Sequence, residues 1–321
     1  MENILSQVLS VAEAKVQYDT QCKLVLYQKE ILAWILKNTA EEFFDLSLPE
    51  IESCIEGTPE ISTVGVNPGE TNETIHGLAN ESKVPGEGSI YYDIRFFACV
   101  PRGRKRIRLI INLECQKSYY PGYQIPTRGI FYGARMISSQ FGTEFSDSHY
   151  DGIKKVYSLW LCLGVPEYIG NAITEYHIVK RDLIGEFPDI RDAYDKLSVV
   201  VIGLREDTPC PNDFFGMMNT LFSTTIPADE KKVRLKTKYS LRMENGLAKE
   251  VDLMCNLSGY VEEKGIERGL KQGLEQGKKE GLKALVRTLQ PLFGNFAQLY
   301  DAIVKNPEYA DLTEEEVREV I

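Results

Sequence analysis

A chain of 321 residues with 43% hydrophobic and 26% charged residues carries enough apolar material for one or two cored domains, which excludes a disordered chain. A formal net charge of -10 excludes a protein that coats nucleic acid with its whole surface, so any contact with phosphates has to be local. No apolar run approaches the roughly 20 residues of a spanning helix. The opening MENILSQVLS also lacks the basic-then-apolar order of a signal peptide, so the expectation is a cytoplasmic protein with no membrane partner.

From Lys23 to about Phe44, the residues Ile31, Trp34, Ile35, Asn38 and Glu42 recur at helical spacing, which predicts a helix with one buried stripe. Ser47 before Pro49 and Glu50 signals the N-cap of a second, short helix. A β-rich piece, residues 61–66, leads into a polar loop over residues 67–88. Two strands follow, residues 89–100 and 107–116, joined by the basic turn Pro101 to Arg106, and they read as a hairpin. Residues 127–141 have helical spacing, while segments beginning at Lys155, Ala172 and Leu197 read as further strands. Helix dominates from Asn212 onward. The order implies an α/β core with a mixed central sheet flanked by helices, then a helical C-terminal region. The divisions are residues 1–205 for the core, 206–257 for a helical extension and 258–321 for a tail. In that tail Gly265, Gly269, Gly273, Gly277 and Gly281 recur every fourth residue.

Seven scattered cysteines without a C-x-x-C pair, and three isolated histidines, leave little material for a disulfide framework, a zinc site or a Ser-His-Asp triad. A catalytic metal would have to rest on carboxylates, which suits magnesium or manganese. Strand alternation puts Asp93 and Arg95 on one face of the first hairpin strand, and Asn112, Glu114 and Gln116 on one face of the second. Asp93 and Glu114 are symmetric about the point between Gly103 and Arg104, inside the basic turn. An unbulged hairpin would therefore make them cross-strand partners. Two opposed carboxylates repel unless a cation lies between them, which is the physical case for a divalent metal. The same pattern also fits a half-exposed sheet on which Asp93 pairs with Arg95 or with the basic turn.

The residues D93-I-R-F-F and I-I-N-L-E114-C-Q116-K, followed by T127-R-G-I-F-Y132-G-A-R135 and ending in the glycine repeat, resemble the PD-(D/E)XK nuclease superfamily. The likeness is to its transposase-like, recombination-promoting branch, and it spans most of the chain. The resemblance implies a restriction-endonuclease-like core in which Asp93, Glu114 and the backbone carbonyl of Cys115 bind Mg2+ or Mn2+. It also implies that Gln116 stands where the superfamily more often has a lysine. Glutamine orients water by hydrogen bonds but carries no charge. The superfamily tends to place an acid on its first core helix, and Glu42 is the candidate on the predicted stripe, with Asp45 a near competitor. The helix after the second strand would flank the site, offering Arg128 and Arg135 to phosphates, while Arg102, Arg104, Lys105 and Arg106 in the turn would add local attraction to DNA.

The expected activity is metal-dependent hydrolysis of DNA phosphodiester bonds, double-stranded by resemblance, with a homodimer formed through the glycine-rich helix. The alternative is a nuclease-fold protein with a silent site that acts as an assembly module.

Overall fold

The computed structural model describes residues 16–61, 81–84, 88–102, 105–244 and 246–319. They form two compact units, residues 1–258 and 259–321. The first begins with helix α1, residues 16–26, broken at Tyr27 and Gln28 from α2 (Lys29–Thr39). The single helix expected from Lys23 to Phe44 is thus two helices. It ends early as well, because Ala40 is extended and Glu41–Phe43 forms a separate 3-10 turn. Helix α3 (Leu48–Cys54) starts where Ser47 and Pro49 predict, with the Ser47 amide and hydroxyl both donating to the Glu50 carboxylate at 2.7 and 2.6 Å.

A six-stranded mixed sheet follows, in the order β1 (Glu60–Ile61), β4 (Ile94–Arg102), β5 (Lys105–Gln116), β6 (Val156–Cys162), β8 (Leu197–Gly203) and β7 (Ala172–His177). A separate two-stranded ribbon pairs β2 (Glu81–Val84) with β3 (Gly88–Tyr91). Within the main sheet β5, β6 and β8 run parallel, while β4 and β7 run antiparallel to their neighbours. The expected residues 61–66 and 67–88 fall largely outside the described residues.

Helix α4 (Ile125–Ser138) covers one face of the sheet. Its Gly129 lies so close that a Cβ there would come within 2.5 Å of Val199 on β8 and 2.9 Å of Trp160 on β6. The other face carries a core shared by α1, α2, α3, α6 (Asp213–Phe222), α7 (Ala228–Tyr239) and the start of α8 (Leu247–Leu289). Residues 206–257 therefore do not form a layer of their own: Phe214, Met218, Leu235 and Val251 are buried in the same core as Ile31 and Leu113. Along the chain, the short helix α5 (Arg191–Tyr194) lies between β7 and β8.

The second unit contains most of the 43-residue helix α8, then α9 (Phe296–Val304) and α10 (Glu314–Arg318), with a small core of Leu282, Val286, Leu299, Ile303, Tyr309 and Val317. All seven cysteines are free thiols. Among the described residues no helix is long and apolar enough to cross a membrane.

Candidate functional site

The β4–β5 register pairs Ile94 with Leu113 and Arg102 with Lys105, the unbulged hairpin that the sequence symmetry requires. One step beyond Ile94, however, the strand stops. Tyr92 packs under α4 against Tyr132, at 5.6 Å between ring centroids, while Ile94 points into the core on the opposite face. The single strand expected over residues 89–100 is therefore broken at Tyr92–Asp93, and alternation does not carry across the break.

Asp93 uses the break. Its Oδ2 accepts the Cys115 N–H at 3.0 Å, taking the place of a backbone carbonyl at the end of the ladder, and its own N–H donates to Glu114 Oε1 at 3.0 Å. Asn112 donates its side-chain N–H to the same Glu114 oxygen at 3.1 Å. The two acids are thus locked beside each other at the carboxyl end of β5. In an extended strand a residue's N–H and C=O point to the same neighbour. The Gln116 carbonyl accepts from Leu163 on the β6 side. By alternation, the Cys115 carbonyl faces the Asp93 side.

Glu114 is 3% exposed, and burial together with the adjacent Asp93 pushes its carboxyl well above the usual carboxylate range. A lysine partly balances the pair: Lys23 Nζ on α1 lies 2.6 Å from Asp93 Oδ1. A cavity of about 400 Å³ opens here, lined by Asp19, Lys23, Asp93, Glu114, Gln116, Lys117 and Arg128, among others. Lys117 lines it too, because β5 ends at Gln116 and strand alternation ends with it; its ammonium pairs with Asp19 at 2.9 Å. Gln116 accepts a hydrogen bond from Tyr123 at 3.3 Å. Arg128 donates to the hydroxyls of Tyr123 and Tyr132 and lies over both rings.

Other expected site residues lie elsewhere. Glu42 accepts the Tyr157 hydroxyl at 2.6 Å and pairs with Lys155 at 3.2 Å, at the amino end of β6. It lines a separate cavity of about 550 Å³ with Asp195 and Arg191, so it is not the acid of the Asp93–Glu114 site. The early end of α2 is the reason. Arg106 lines that second cavity as well, roughly 26 Å from Glu114 by strand rise. The basic turn therefore sits at the wrong end of the hairpin to serve the acid pair. The side chains of Arg102, Arg104 and Lys105 lie outside the described residues. Arg135 is only 6% exposed under α4, so no phosphate can reach it as Arg128 can be reached.

Sequence reasoning missed Lys23 and Asp19. Their signal was present: on a helix that buries Cys22, Val25 and Leu26, two polar groups four residues apart share one face.

Among the described residues no three His, Cys, Asp or Glu side chains cluster to share an ion. An ion at this site would rest on two carboxylates, the Cys115 carbonyl and water. That hard-oxygen set fits magnesium or manganese and leaves coordination positions for a substrate oxygen. A mixed α/β sheet with an acid pair at the carboxyl end of a central strand defines the class of site; compared with protein-family models, curated proteins and solved structures, the chain matches none.

Proposed function

We propose that this chain is a metal-dependent DNA endonuclease of the restriction-endonuclease-like, PD-(D/E)XK kind, with recombination-associated DNA as its substrate. The observation that carries this reading is the forced proximity of Asp93 and Glu114, held by reciprocal backbone and side-chain bonds in an open cavity. The D…E-x-Q motif, the α4 residues and the tail support it by resemblance. Asp93, Glu114 and the Cys115 carbonyl would hold the ion. Mg2+ or Mn2+ bound there supplies a Lewis acid for the phosphate and an acidified water.

The remaining roles fall to the chain's own groups. The Gln116 carboxamide, fixed by Tyr123, orients a water by hydrogen bonding. Lys23 places a positive charge beside Asp93, where negative charge grows on the phosphate oxygens, and so supplies what Gln116 lacks. Arg128 holds the strand's backbone at the rim.

The test is plasmid nicking with and without magnesium. Asp93→Ala and Glu114→Ala are each expected to lose activity at least 100-fold. Lys23→Met should slow nicking while keeping the rise in melting temperature that Mg2+ gives the parent protein. Undiminished nicking by either acid variant moves the site elsewhere.

One observation favours a second reading, an assembly protein whose site is silent: Asp93 already has an internal cation in Lys23. That reading predicts no magnesium-induced thermal shift, because an ion that does not bind the folded state cannot stabilise it.

A further inference from the structure

Beyond Gln116 the chain runs to α4 through Tyr119, Tyr120 and Tyr123, and Tyr168 approaches from the turn after β6. Tyr120 and Tyr168 are 60% and 76% exposed, yet their hydroxyls are hydrogen-bonded to each other. Tyr119 meets Tyr120 edge-on, at 4.9 Å between centroids. Tyr123, three residues beyond Tyr120 in the chain and 37% exposed, hydrogen-bonds to Gln116 and Arg128, which line the cavity. Large rings left in water on the segment that leaves the cavity at Gln116 and Lys117, and tied in place by their hydroxyls, present aromatic faces at little cost in side-chain freedom.

The charges at the cavity mouth point the same way. Lys23 is paired with Asp93 and Lys117 with Asp19, while Arg128 is spread over tyrosine rings. With a net charge of -10 and two of these three cations already paired with acids, the cavity mouth is poorly suited to duplex DNA, whose binding draws on many phosphate contacts and counterion release. Single strands bind differently, because each unpaired base offers a ring face to an aromatic platform.

We propose that Tyr120, Tyr168 and Tyr123 form a stacking platform for unpaired bases, so that the chain engages its nucleic acid as a single strand leading into the Asp93–Glu114 cavity. The nucleic-acid partner itself rests on the nuclease reading, while the choice of single strand over duplex is new and departs from the double-stranded substrate that the motif resemblance implies.

The experiment uses the full chain in EDTA, so that nothing is cut, and follows the fluorescence anisotropy of a fluorescein-labelled 20-mer of thymidylate and of a mixed-sequence duplex of equal length. The single strand is expected to bind at least tenfold more tightly. Tyr120→Ala and Tyr168→Ala should each weaken it several-fold, with melting temperatures unchanged, and Tyr120→Phe and Tyr168→Phe, which keep the ring, should restore most of the affinity. Equal affinity for duplex and single strand, or alanine variants that bind like the parent, overturns the platform. Nicking that succeeds while the preference is absent defeats only this proposal. A clear preference without any metal-dependent cleavage defeats only the nuclease reading.

Discussion

At Glu114 burial and charge oppose each other, and pH sets which prevails. Its folded carboxyl is pushed up to about 8 by burial first and by Asp93 second, whereas in the unfolded chain it titrates in the ordinary carboxylate range. The folded state therefore holds the extra proton between those limits, and stability falls as pH rises through them. A divalent ion competes with that proton, so its stabilising effect grows over the same window. Melting curves of metal-free protein should fall between about pH 5 and about pH 9, and the magnesium-induced rise should increase. Glu114→Gln should flatten both trends. A metal effect that shrinks with rising pH would contradict this account of the pair. The acid pair was legible in the sequence because hairpin symmetry is a local rule, and the register obeys it up to Ile94. Lys23 and Asp19 were not, since their partners, Asp93 just before β4 and Lys117 just after β5, lie far along the chain.

Among the elements, α4 shows how closely the site's supports are fitted. Gly129 lets the helix settle onto Val199 and Trp160, and any side chain there meets the core of two strands. Gly129→Ala is expected to cost about 1–3 kcal/mol by overpacking, read as a lower urea midpoint with an unchanged slope. An unchanged midpoint would mean that α4 can lift without penalty. The helices and strands themselves were readable from periodicity, β5 and α4 most clearly. What periodicity could not show was where an element stops. The break at Tyr92–Asp93 and the end of α2 at Thr39 are set by tertiary contacts, the first by Tyr132 under α4 and the second by Phe43 turning into the core.

For the whole molecule, the divided organisation was partly readable: a helical tail with a glycine repeat was expected from residue 258, and the second unit begins at Gly259. The helical extension was not separable, because its apolar residues complete the core under the sheet. In the tail, Gly269, Gly273 and Gly277 have no neighbour within 4 Å of where a Cβ would stand, and Leu270 and Leu274 are 71% and 64% exposed. Each glycine costs a helix about 1 kcal/mol relative to alanine, so we expect the ridge to be covered by a second copy of the chain. Light scattering should give a dimer for the parent protein and a monomer for Gly273→Leu combined with Gly277→Leu; equal masses would refute it. The hairpin that joins the acids has a consequence in time as well. Its strands are neighbours along the chain, while β5–β6 and β6–β8 close long loops, and the entropy of loop closure favours the nearer pairing first. The β4–β5 hairpin is therefore expected to bring the neighbourhoods of Asp93 and Glu114 together early in folding, before the helices that wall their cavity assemble.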